Sequence, residues 1–186
     1  MPQFEILPKP VQQAIKILDG ISIFSGKLFS WLVFPMAAAL VYEVIARYGF
    51  NKPTIWAEDI SFILYGAYFM LGAAYTLQRG MHIRTDFLYR NWSIRTRGLV
   101  DSSLYLFVFF PAMIAFLLVG WEYAYTSILM NESYPTSPWM PLIWPLKLAI
   151  PVSTLLLILQ GVSEFLKSFY TLKTGVALIE DGVIET

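Results

Sequence analysis

Residues 60–78 read ISFILYGAYFMLGAAYTLQ, nineteen residues without a charge between Asp59 and Arg79. At about 1.5 Å of rise per residue, roughly 20 apolar residues cross the ~30 Å hydrocarbon core of a bilayer. Working outward, the same kind of gap recurs three times. Between Lys27 and Arg47 the only charge is Glu43, between Asp101 and Glu122 there is none, and from Ser133 to Ser163 the only charge is Lys147. Backbone polar groups in lipid must be satisfied within their own segment, so each run is predicted as a helix. The pattern predicts an all-α integral membrane protein with four transmembrane helices near residues 28–48, 58–78, 102–121 and 144–165. Residues 1–27 then form an N-terminal segment and residues 166–186 a tail.

Composition agrees. Of the 186 residues 57% are hydrophobic and 14% charged, against about 45–50% and about 25% in soluble domains. Mean hydropathy is +0.59. Aromatic residues reach 17%, with 6 Trp and 11 Tyr, the pair that favours membrane–water interfaces. The chain has no Cys, which excludes disulfides, Cys-ligated metals and thiol nucleophiles, and its single His excludes an intrachain bis-His haem. Net charge is zero, so a basic surface for nucleic acid is not expected.

Charge placement sets the orientation. Lys9, Lys16, Lys27, Arg79, Arg84, Arg90, Arg95, Arg97, Lys167 and Lys173 fall on one side, and Arg47, Lys52 and Lys147 on or near the other. Positive residues accumulate in cytoplasmic loops, so both termini are predicted in the cytoplasm. The first span is too long for a signal-peptide core and is expected to be retained. Ahead of it, Val11, Ala14, Ile15 and Leu18 fall on one helical face, which predicts a short amphipathic helix on the inner leaflet or, since it is short, the first turns of a long span-one helix. Pro35 and Pro111 fall inside spans one and three and are expected to kink them. The segment 134–145 carries four prolines and cannot be regular helix, so it is expected as a stiff interfacial approach to span four, with Trp139 and Trp144 at headgroup level.

Few residues have the character of a chemical site. Glu43 lies within a span, where a carboxylate is a functional candidate by default. It also stands four residues before Arg47, the favourable order for a helical ion pair. Its place near the end of the span favours a structural pair over an ion carrier. Glu58 and Asp59 open span two, where acids complement the helix dipole. Asp59 also aligns with Gly66, Ala67, Met70, Ala73 and Ala74, a small-residue stripe of the kind that lets another helix approach closely. Lys147, just inside span four, either snorkels outward or pairs with Glu122 at the same membrane level, and pairing is the favoured expectation. His82 in the loop after span two reads as an ordinary loop residue, and Arg84, Arg90, Arg95 and Arg97 suit either topology or anionic lipid headgroups. There is no Ser/His/Asp set, no phosphate loop and no metal-ligand spacing. No enzymatic activity, cofactor or metal is therefore expected, and an accessory membrane subunit is.

Three motifs carry a resemblance. Arg47-Tyr48-Gly49-Phe50-Asn51-Lys52-Pro53-Thr54-Ile55-Trp56-Ala57-Glu58-Asp59 resembles the first outer loop of the small membrane (Q) subunit of tripartite ATP-independent periplasmic (TRAP) transporters, with Asp59 where that family has a second Glu. Gly80-Met81-His82-Ile83-Arg84-Thr85-Asp86 resembles the family's loop after span two. Ser137-Pro138-Trp139, Pro141-Leu142-Ile143-Trp144-Pro145-Leu146-Lys147, Ile150-Pro151 and Leu159-Gln160-Gly161 resemble the entry to its last span. The likeness covers roughly residues 29–165.

The resemblance implies a scaffold that braces a large, elevator-type M subunit, which holds the substrate and sodium sites. It also implies transient docking of a periplasmic substrate-binding protein and sodium-driven uptake of an organic acid at the bacterial inner membrane. On that reading Gly66, Ala67, Ala73 and Ala74 pack against helices, and Arg47, Asn51, Trp56 and Glu58 line the outer rim; membrane lipids are the other partners. Two alternatives from the residues alone are a self-contained proton-coupled exporter acting through Glu43 and a non-catalytic membrane anchor of a redox complex.

Overall fold

A computed structural model describes residues 7–80 and 92–176. The helices are α1 (Lys9–Ser30), α2 (Val33–Val44), α3 (Ala57–Gln78), α4 (Ile94–Leu104), α5 (Phe110–Leu129) and α6 (Trp144–Thr174). A π-helical turn, Ile45–Gly49, continues α2, and another, Tyr105–Phe109, joins α4 to α5. Counted through these turns, four helical stretches are long and apolar enough to cross a membrane: Lys9–Gly49, Ala57–Gln78, Ile94–Leu129 and Trp144–Thr174. The four spans predicted from the charge gaps are all present. Three of the stretches run well beyond the predicted limits, because the bounding charges do not end the helices. Ser93 caps α4, its hydroxyl accepting the Thr96 N–H at 3.2 Å.

Both expected irregularities lie where proline chemistry puts them. The ring of Pro35 crowds the carbonyl of residue 31, four positions back. The chain breaks there: α1 ends at Ser30 and α2 starts at Val33, while the Trp31 carbonyl accepts the Phe34 N–H at 3.2 Å. Pro111 follows the Tyr105–Phe109 π-helical turn, which relieves the same clash at residue 107.

Two compact units can be told apart. The first is formed by the described residues among 7–24, 74–115 and 155–176. In it Ile15 and Leu7 are buried, with Val11, Leu166 and Tyr170 packed against them. The Val11/Ile15 stripe, expected to lie on the inner leaflet, is therefore covered by the chain's own α6, and α1 continues unbroken to Ser30. A Cβ on Gly98 of α4 would meet the Leu172 backbone N at 2.6 Å and the Ser168 carbonyl O at 2.9 Å, so backbone here passes against backbone.

The second unit is formed by residues 25–73 and 116–154. Gly66 of α3 faces Leu146 of α6, whose Cδ1 lies 2.8 Å from where a Cβ would stand, and Gly120 of α5 faces Ile150. The segment 131–143 folds back on itself. Tyr134 N–H donates to the Pro141 carbonyl at 2.8 Å and Ile143 N–H to the Glu132 carbonyl at 3.0 Å. Ser133 and Leu142 bridge, and Asn131 and Met140 turn the chain at positive φ.

Burial is reversed from that of a soluble protein. Ser22, Thr154, Gln160, Ser163 and Ser168 are fully enclosed, whereas Phe24, Trp31, Tyr48, Phe69, Phe107 and Leu118 are exposed. Lipid tails are as apolar as leucine, so helices in lipid associate through small and polar residues and turn large apolar side chains outward.

Candidate functional site

The polar centres build up from single helical turns. In α2, Glu43 is one turn before Arg47, and its Oε1 accepts from Arg47 Nε at 2.8 Å and Nη2 at 2.5 Å. Its Oε2 accepts from the Thr54 backbone N–H at 2.9 Å and from the Thr54 hydroxyl. Both oxygens of this buried carboxylate are thus engaged, and they fasten the loop 50–56 to the end of α2. Asn51 in the left-handed region lets the loop reverse so that Lys52 N–H reaches the Ala46 carbonyl at 2.9 Å. Trp56 stacks on Tyr42 with ring centroids 5.4 Å apart.

A second tie holds the proline-rich segment. Asp59 Oδ2 accepts from the Ser137 hydroxyl, which in turn accepts the Trp139 N–H at 3.0 Å. Tyr134 stacks on Phe62. Lys147 pairs with Glu132, not with Glu122 as the sequence suggested, and its ammonium sits 3.9 Å from the ring centroid of Tyr123. The correction has a simple cause: the fold-back of 131–143 returns Glu132 to the start of α6. The Lys147 ammonium and then the Ser127 hydroxyl hold the Glu132 carboxyl below the usual carboxylate value, against the opposing effect of desolvation.

A third centre was not singled out from the sequence. Asp19 of α1 accepts from Ser163 Oγ at 2.6 Å, Gln160 Nε2 at 3.0 Å and Lys167 Nζ at 2.9 and 3.1 Å. Glu164 accepts from Gln160 Nε2 at 2.9 Å and Lys167 Nζ at 2.8 Å. Positions 160, 163, 164 and 167 share one helical face, a polar i, i+3, i+4, i+7 stripe, and that spacing was the available signal.

The small-residue stripe of α3 occupies a flank rather than the exposed face. Gly66, Ala67, Met70 and Ala73 are half-buried and Ala74 is buried, while the exposed face carries Glu58, Phe62, Tyr65 and Phe69. Gly72 is half-buried, but a Cβ there would meet nothing within 4 Å among the described residues. Arg47, Asn51 and Glu58 are exposed, and Trp56 is half-buried at the head of α3. Glu122 is exposed. His82, Arg84 and Asp86 lie outside the described residues.

No curated protein and no solved structure gives a significant match to the chain. A profile of the family described as "Tripartite ATP-independent periplasmic transporters, DctQ component" matches residues 36–171. That region contains the Glu43 clamp, the folded proline-rich segment and most of the polar face of α6. The chain belongs to this family, and is the small, multi-pass inner-membrane component of a tripartite transporter.

Proposed function

We propose that this subunit is the stationary scaffold of a sodium-driven TRAP transporter that imports an organic acid. It braces the large M subunit in the membrane and offers its outward-facing rim to the periplasmic substrate-binding protein. The observation that carries the reading is the state of its charges. Glu43, Asp59, Glu132, Lys147, Asp19 and Lys167 are each engaged by partners in the same chain. Solute-coupling groups need acceptors and donors free to change partner, whereas these join helices and loops to one another. A scaffold in lipid needs such internal ties together with large apolar outer faces, of which α3 has one in Phe62, Tyr65 and Phe69.

On this reading both termini are cytoplasmic and Arg47, Asn51, Trp56 and Glu58 stand at the periplasmic rim, held there by the Glu43–Thr54 clamp. The test is reconstitution. Vesicles containing the isolated chain take up no organic acid, and uptake appears only with the large subunit, a sodium gradient and the binding protein. Phe69→Gln, on the exposed face of α3, reduces recovery of the large subunit in co-purification. Solute uptake by the isolated chain, or full recovery of an active complex with a polar residue at Phe69, overturns the proposal.

A further inference from the structure

The Asp19–Glu164 cluster has one more negative charge than its visible partners neutralise. Lys167 has three N–H donors, and they meet three carboxylate oxygens: Asp19 Oδ1, Asp19 Oδ2 and Glu164 Oε1. Gln160 Nε2 and the Ser163 hydroxyl donate to oxygens already in that set. Two oxygens are left over. Gln160 Oε1 is fully buried without a donor. Glu164, itself 3% exposed, receives both of its donors on Oε1 and none on Oε2. Among the described residues no second cation pairs with either acid. Two carboxylates against one ammonium leave a formal charge of −1 beside a fully buried acceptor that lacks a donor. Nature rarely leaves either unanswered.

We propose that this cluster binds one small monovalent cation through oxygen ligands, Gln160 Oε1 and Glu164 Oε2 first among them. Hard cations favour sets of carboxylate, amide and hydroxyl oxygens. A single positive charge balances the cluster, while a divalent ion would reverse its sign. A lysine or arginine from another chain is a poorer fit, because Gln160 is wholly enclosed and only Asp19 is partly open. The cation also completes the bond between α1 and α6, which are 141 or more residues apart at this contact. The proposal does not depend on the scaffold role and is decided in this chain alone.

The experiment uses the full chain, purified in detergent without other subunits. Its thermal midpoint is compared in sodium chloride and in choline chloride at equal ionic strength and pH. With sodium well above its dissociation constant, the wild type melts roughly 2–4 °C higher than in choline. Glu164→Gln keeps the volume and removes the surplus charge, so its midpoint in choline is no lower than that of the wild type and its sodium shift is absent. Equal wild-type midpoints in the two salts overturn the proposal. So does an undiminished sodium shift in Glu164→Gln, which puts the ion elsewhere. Should that variant fail to fold, the wild-type comparison still decides.

Discussion

Adding one methyl group at each of three helical glycines has a different outcome at each, and the structure ranks them. In a helix interior Gly→Ala gains about 1 kcal/mol from lower backbone entropy in the unfolded chain. At Gly72 the new Cβ meets nothing among the described residues within 4 Å, so the substitution is stabilising or neutral. At Gly161 it would stand 2.3 Å from Phe109 Cε1, a ring that can turn aside at some cost. At Gly98 it would stand 2.6 Å from the Leu172 backbone N and 2.9 Å from the Ser168 carbonyl, and backbone atoms of a long helix cannot turn aside.

Overpacking typically costs about 1–3 kcal/mol, and the rigid contact at Gly98 belongs at or above the upper end. Offsetting the helical gain leaves Gly98→Ala destabilised by about 2 kcal/mol and Gly161→Ala by about 1 kcal/mol or less. For a chain of this size the first corresponds to a midpoint lower by roughly 4–8 °C. The assay is thermal unfolding in detergent followed by tryptophan fluorescence and helical circular dichroism. A midpoint for Gly98→Ala equal to the wild type, or a loss at Gly72→Ala as large as at Gly98→Ala, refutes the packing of α4 on α6.

Lys167→Met removes the one basic partner that the half-buried Asp19 and the buried Glu164 have among the described residues and lowers stability by about 3–5 kcal/mol, with partial rescue by Glu164→Gln, read by the same melts. Thr54→Val deletes one of the two Thr54 donors to Glu43 and loosens the loop 50–56, so limited proteolysis should cut there faster while helical content stays unchanged. Because Lys147 depresses the Glu132 carboxyl below 4.5, that pair contributes its full stability above the ordinary carboxylate value. The contribution disappears as pH falls through the lowered folded value. The acid limb of the melt-versus-pH curve should be shallower in Glu132→Gln than in the wild type.

What could be read without the fold was what depends on short stretches of chain. The four spans follow from charge-free runs matched to the thickness of a bilayer, and residues 60–78 alone nearly establish the class. The Glu43–Arg47 pair is equally local, since i and i+4 always meet on a helix, and Pro35 and Pro111 act on the carbonyl four residues back wherever they occur. Nothing local specified the second half of the clamp, because Thr54 reaches Glu43 only through the left-handed turn at Asn51. Nor did membrane level identify the partner of Lys147. Glu122 has the right depth, but the fold-back of 131–143 delivers Glu132 instead. The amphipathic stripe of α1 was visible as a pattern, yet a pattern does not say whether lipid or protein covers it, and here Leu166 and Tyr170 do. The meeting of Asp19 with Gln160, Ser163 and Lys167 lies furthest beyond the sequence. Two helices can pack at many registers and angles with similar local preference, and only the summed contacts of the assembled fold select the register that buries these side chains together.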